Sequence, residues 1–250
     1  MSNWLWVWIL SAARIYAALI ICPMFAKNII PRTIVMLLAC IFAIMVVPQL
    51  MSNPLIENTT FWLLIMILLK ELSIGVIIGF VFSLPIWMVE NVGNLIDAQR
   101  GEELGAIINQ STKNPSSSLS KLLINGFYVY LLEANGLLLL LKSLWQSFRI
   151  FPLLSLSVNL HAIPEIIISS YSKYFFWLVI LALPVVFLMF IVEISLGIFS
   201  SFIQKLNVTN MAMPIKSIVA IFFLVFYVGI IYHVTVSKVL ISLVEKISIL

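Results

Sequence analysis

Of 250 residues, 63% are apolar and only 10% are charged, with 14 Lys and Arg against 10 Asp and Glu and a mean hydropathy of +1.17. Water-soluble domains run at about 45–50% apolar and about 25% charged, so a single globular domain is excluded and an all-α, multi-pass membrane protein is expected. The net charge of +4 is spread thinly, with no cationic block to follow a phosphate backbone, which excludes nucleic acid as a partner.

About six apolar stretches approach the ~20 residues that a helix needs to cross ~30 Å of hydrocarbon, near 4–26, 33–51, 61–89, 119–144, 174–200 and 215–244. The first has no basic segment before it and carries Arg14 in its middle, so a retained span is expected, not a cleaved signal peptide. An uncompensated charge at a helix centre costs about 2.5–3.5 kcal/mol. Arg14 therefore requires a partner, in this chain or in a neighbour. The span ends near Pro23 and Phe25, and Pro31 and Arg32 precede the second; Arg32 reads as a cation anchoring a helix end at the membrane surface. Cys22 and Cys40 lie in or beside apolar runs without zinc or redox spacing and read as small buried hydrophobes.

The third stretch holds Lys70 and Glu71, then Gly75 and Gly79, a small-xxx-small face that lets another helix come close. Adjacent helical residues point about 100° apart, so Lys70 and Glu71 are not expected to face one partner together. In the polar stretch 90–118, Asp97 and Arg100 stand at i and i+3 and are expected to pair. From Gly101 the composition turns to Ser, Asn and Gly, and a polar connector of about 18 residues is longer than most. The fourth stretch holds Asn125, Glu133 and Asn135, and the fifth holds Pro184 and Glu193. Gln204, Asn207, Pro214 and Lys216 then join the last two stretches into a helical hairpin, with Pro214 expected to open its second helix.

Charges and prolines at membrane depth persist where protein or a wet cavity surrounds them, so the chain reads as part of a larger bundle or pore. Seven cations in the odd connectors (Lys27, Arg32, Arg100, Lys113, Lys121, Lys205, Lys216) against five in the even ones and the tail place the odd connectors in the cytoplasm. Phosphate-binding loops, zinc motifs and nucleophile pairs are missing, and His161 and His233 are isolated, so neither enzyme activity nor a cofactor or metal is expected.

In their order along the chain, these features resemble the FliR/SctT family, an inner-membrane component of the flagellar and virulence type III secretion export apparatus. The resemblance runs through Arg14…Pro23-x-Phe25…Pro31-Arg32, Glu71-x3-Gly75-x3-Gly79 and Gly93-x3-Asp97-x2-Arg100-Gly101. It continues through Gly136, Pro184…Glu193-x3-Gly197 and Gln204-x2-Asn207-Val208…Pro214-x-Lys216. The Asp-x-x-Arg-Gly element resembles the virulence (injectisome) branch more than the flagellar one. Ile203 stands where relatives often have Pro, and Thr209 where an aromatic is common.

The resemblance implies a non-enzymatic role in the bacterial inner membrane: with FliP/SctR-type and FliQ/SctS-type partners, and a FlhB/SctU-type protein beside them, the chain would build a gate for unfolded exported proteins. Residues 1–173 would correspond to the FliP/SctR type and 174–250 to the FliQ/SctS type. The loop near 101–118, with Gly101, Gly105, Asn109, Gln110, Ser111, Asn114 and Pro115, would plug the pore. Assembly and packing would fall to Arg14, Pro23, Pro31, Arg32, Glu71, Gly75, Gly79, Asp97, Arg100, Glu193, Gln204, Asn207, Pro214 and Lys216. The competing reading is a stand-alone secondary transporter or ion channel using Glu71, Asp97, Glu133 and Glu193 as a relay. No internal repeat of the transporter kind supports it.

Overall fold

A computed structural model of the chain describes residues 2–26, 29–50, 61–101, 118–153, 162–202 and 208–244. Among them there is no strand. The helices are α1 (Ser2–Ile21), α2 (Arg32–Leu50), α3 (Phe61–Arg100), α4 (Ser118–Glu133), α5 (Gly136–Ile150), α6 (Ala162–Phe202) and α7 (Val208–Val234). A 3-10 turn at Pro23–Phe25 follows α1, and a π-helical turn at Thr235–Leu240 extends α7. Gly105, Asn109, Gln110, Ser111, Asn114, Pro115, Gln204, Asn207 and His161 lie outside the described residues.

Among the described residues, four helices are long and apolar enough to cross a membrane: Trp4–Ile21, Trp62–Arg100, Ile167–Phe202 and Ala212–Val244, or five if α4 and α5 form one broken span. All six expected stretches fall on helices α1 to α7. The second folds as α2, a 19-residue helix with Pro48 inside it. The fourth is interrupted at Asn135, which takes φ 56 and ψ 30, a left-handed conformation that Asn tolerates better than other side-chain-bearing residues. The third continues beyond residue 89 to Arg100, because Val89, Val92 and Ile96 keep one helical face apolar and buried. Pro214 does not open the last helix: α7 begins at Val208, and Pro214 sits inside it, withdrawing one backbone N–H from the ladder.

The chain clusters into two compact units, one made of Met1–Leu84, Asn135–Tyr171 and Leu240–Leu250, the other of Pro85–Ala134 and Ser172–Val239. Three of the four crossings between them coincide with a helix irregularity: Pro85, Asn135 and the π-helical turn.

In the first unit α1 packs on α2, and Ala18, Ala39 and Ala43 are fully buried. Trp8 Nε1 donates to the Cys40 carbonyl at 3.1 Å. The Pro31 carbonyl accepts the amides of Ile34 and Val35 at 3.0 and 3.3 Å and so starts α2. Both cysteines are free, as expected, and burial pushes the Cys22 thiol up to about 12, which leaves it unreactive near neutrality. Cys40 is only partly buried.

In the second unit α4 and α7 meet at Tyr232. Its hydroxyl donates to the Leu123 carbonyl at 2.7 Å, and its ring lies against Phe127 and Tyr130 at 5.5 and 5.6 Å between centroids. Gly126 leaves the room this hydroxyl occupies, since a Cβ there would stand 2.5 Å from it.

Candidate functional site

The first constellation of charge is built on α1, α3 and the end of α5. Arg14 and Glu71 are both fully buried, and Arg14 Nε donates to Glu71 Oε2 at 2.6 Å. Its other nitrogens donate to Ser147 Oγ at 3.1 Å and to the Phe151 carbonyl at 2.9 Å, and the guanidinium lies 4.1 Å over the Phe148 ring. Lys70 joins the same carboxylate from the other side, its Nζ 2.9 Å from Glu71 Oε1, and donates to the carbonyls of Pro152 and Leu153, each at 2.9 Å. Glu71 thus looks inward at Arg14, while Lys70 reaches the carbonyls past α5 and still touches the carboxylate beside it. The four-carbon stem of lysine spans the angular offset and brings the ammonium back to its neighbour. Two cations thus share one carboxylate, and the carbonyls just past the C-terminal end of α5 supply the remaining negative field.

Glycine positions this network. A Cβ on Gly75 would collide with the Arg14 carbonyl oxygen and stand 2.9 Å from Ala17 Cβ, and one on Gly79 would stand 2.5 Å from the Ala18 carbonyl oxygen. Backbone therefore touches backbone along this face, and Glu71, one turn before Gly75, is delivered to Arg14. Ser83 continues the seam, with its hydroxyl donating to the carbonyls of Gly79 at 2.6 Å and Ile21 at 3.3 Å.

The second constellation lies at the end of α3. Arg100 pairs with Asp97 Oδ1 as the i, i+3 spacing predicts, and Gly101 ends the helix at φ 83. Asp97 Oδ2 accepts the backbone N–H groups of Leu119 and Ser120, both at 3.1 Å. These amides belong to the first turn of α4, so a carboxylate from another helix does the work of an N-cap and meets the positive end of the helix dipole. Ser120 Oγ donates to the Glu90 carbonyl at 2.9 Å, and Gly93 admits the Ser120 backbone, where a Cβ would come within 2.5 Å of its Cα. Asp97→Ala should lower stability by about 2 kcal/mol, the upper range for a lost cap, and Asp97→Asn, which keeps an acceptor oxygen, by less than half of that. Thermal unfolding of the two variants in one detergent checks the order.

The third pair joins α6 and α7: Lys216 Nζ is 2.7 Å from Glu193 Oε2, and Gln99 Nε2 donates to the same oxygen at 3.5 Å. Lys216 is buried, and Glu193 remains 53% exposed. Pro23 opens the turn after α1, while Pro31 and Arg32 are exposed at the start of α2 and Pro184 lies inside α6.

The sequence-predicted residues thus separate into Arg14, Glu71, Gly75 and Gly79, then Asp97, Arg100 and Gly101, then Glu193 and Lys216. Sequence reasoning missed Ser147, Phe148 and Ser120 as their partners. A trace was present: Ser143 and Ser147 stand four apart on α5 among the buried Gly136, Leu140, Leu144 and Phe148, a polar strip on an inward face. Among the described residues, no group of His, Cys, Asp and Glu is disposed to hold a metal ion. The buried carboxylates have their oxygens committed to cations and backbone amides, an arrangement that fixes helices against each other.

The model of the family described as Bacterial export proteins, family 1, matches residues 5–240. Yop proteins translocation protein T of Yersinia pestis is 30% identical over 217 residues, 86% of this chain and 82% of that protein. Surface presentation of antigens protein SpaR of Shigella flexneri is 32% identical over 157 residues, 62% of this chain and 60% of that protein. Flagellar biosynthetic protein FliR of Bacillus subtilis is 24% identical over 223 residues, 88% of this chain and 85% of that protein.

Proposed function

The chain belongs to the bacterial export proteins, family 1, and from that membership we propose that it is a structural, non-enzymatic component of a type III secretion export gate. Among its described residues four or five helices are long and apolar enough to cross a membrane, and it is a multi-pass protein of the bacterial inner membrane. It forms a pore for unfolded substrates together with FliP/SctR-type and FliQ/SctS-type membrane proteins, beside a FlhB/SctU-type protein. Residues 1–173 take the part of the first type and 174–250 the part of the second. The observation that carries this reading is the family match over residues 5–240. Higher identity to the translocation and surface-presentation proteins than to the flagellar one supports the injectisome branch.

The exposed faces of α6 and α7 support a place among other apolar helices, with Phe176, Phe187, Ile198, Phe222 and Phe226 all turned outward. The relay of a lone transporter has no observation in its favour. Glu71 and Asp97 are held by Arg14, Lys70, Arg100 and two amides, and Glu133 is exposed. Gentle detergent extraction of the tagged protein tests the gate directly. Two small, multi-copy membrane proteins should co-purify; a lone chain that conducts ions in liposomes would replace the gate with the transporter.

The segment near 101–118 serves as the plug, and Gly105, Asn109, Gln110, Ser111, Asn114 and Pro115 belong to it. Trimming 110–118 should leave assembly intact and raise ion conductance of the reconstituted complex several-fold. If trimmed and intact complexes conduct alike, the plug role fails.

A further inference from the structure

α5 sorts its residues by face: Gly136, Leu140, Ser143, Leu144, Ser147 and Phe148 are buried, whereas Leu138, Lys142, Trp145 and Arg149 are exposed. The exposed set recurs at i, i+4, i+7 and i+11, one face of a helix. At 15 residues α5 is about 22 Å long, too short to cross the hydrocarbon alone.

Beside that face lies a cavity of about 470 Å³ walled by Ile15 of α1, Phe42 and Met45 of α2, and Leu141 and Leu144 of α5. Lys142 and Arg149 line its exposed side, with Trp145 and Gln146 between them and the exposed Met45 and Leu138 on the same side. Its described lining carries two cations and no carboxylate. The interior accepts hydrocarbon and the exposed side accepts an anion.

We propose that this cavity binds an anionic phospholipid, with an acyl chain in the apolar pocket and the phosphate held by Lys142 and Arg149. The guanidinium fork suits paired phosphate oxygens, and the ammonium supplies a second point charge. Two turns of helix separate the cations by about 10 Å, which lets them flank one headgroup. Trp145 has the amphipathic ring that settles at headgroup depth, and short helices with exposed cations and aromatics are drawn to anionic leaflets. The volume also discriminates: it falls in the roughly 300–1,000 Å³ range of small-molecule sites, whereas a docked helix about 10 Å across needs a groove along its length. This inference does not depend on the export reading.

The test is thermal unfolding of the purified full chain in neutral detergent, titrated with phosphatidylglycerol or with phosphatidylcholine bearing the same acyl chains. Phosphatidylglycerol should raise Tm by several degrees and phosphatidylcholine should not. The Lys142→Gln, Arg149→Gln double variant should respond at least tenfold more weakly, and Leu141→Trp, which fills the pocket, should respond as weakly while keeping both cations. Equal shifts with the two lipids, or an undiminished response in the double variant, would overturn the proposal. Should the double variant lose its fold, a photoreactive residue at position 145 in membranes decides. An adduct with phospholipid upholds the site, and one with a protein helix in its place removes it.

Discussion

Glu71→Ala should cost about 3–5 kcal/mol, the range for breaking a buried ion pair from one side. Without the carboxylate, Arg14 and Lys70 remain packed against each other's field, with only the Ser147 hydroxyl and the carbonyls of Phe151, Pro152 and Leu153 to answer them. Arg14→Met should be milder, because Glu71 keeps Lys70 and loses only its closer partner. The double variant Arg14→Met, Glu71→Leu should recover much of the loss, since well-packed apolar residues often replace a buried pair at little cost. Detergent thermal unfolding together with the yield of assembled complex reads all three. A Glu71→Ala protein within about 0.5 kcal/mol of wild type, the range of a bland surface change, would show that the pair does not hold α1 to α3.

Gly75→Ala and Gly79→Ala should each lose about 2–3 kcal/mol, at the upper end of ordinary overpacking. The obstruction is the backbone of α1 at Arg14 and Ala18, which cannot rotate away as a side-chain tip would. Displacing α1 here also draws Arg14 off Glu71, so the effects of Gly75→Ala and Glu71→Ala should be less than additive. Gly197 and Gly229 provide the contrast. A Cβ at either meets nothing within 4 Å in the isolated chain, so alanine there should be neutral or should gain about 0.5–1 kcal/mol from helix propensity. If all four substitutions behave alike, close helix approach is not what the Gly75 and Gly79 face provides.

How far the sequence could be read follows from the range of each interaction. The Asp97 and Arg100 pair was legible because both partners lie within one helical turn. The need of Arg14 for a counter-charge was legible from the cost of burying it, and Glu71 was singled out on its own helix. Their meeting was not, because it joins residues 57 apart through a contact that only tertiary packing creates. Asp97 capping α4 was hidden for the same reason: a cap is normally sought beside the helix it serves. Hydropathy located the apolar runs but not the left-handed Asn135 that divides one of them, since it registers composition and not backbone conformation. Pro214 misled because the preference of proline for a first turn is only a preference; one withdrawn hydrogen bond is tolerated within a long α7.

The separation of the partners of Arg14 along the chain has a consequence for biogenesis. Its last contact, with Phe151, lies 137 residues downstream. At about 5–20 residues per second of synthesis, roughly 7–27 s pass between the emergence of α1 and that of the segment that completes its coordination. Through that interval the nascent helix holds a cation at membrane depth with an incomplete shell, a state worth about 2.5–3.5 kcal/mol against insertion. The arrival of Glu71 part-way relieves most of it. The order of synthesis therefore makes α3 the step at which α1 is committed to the bilayer, and a chain stalled before Glu71 is the form that insertion factors and membrane proteases would meet.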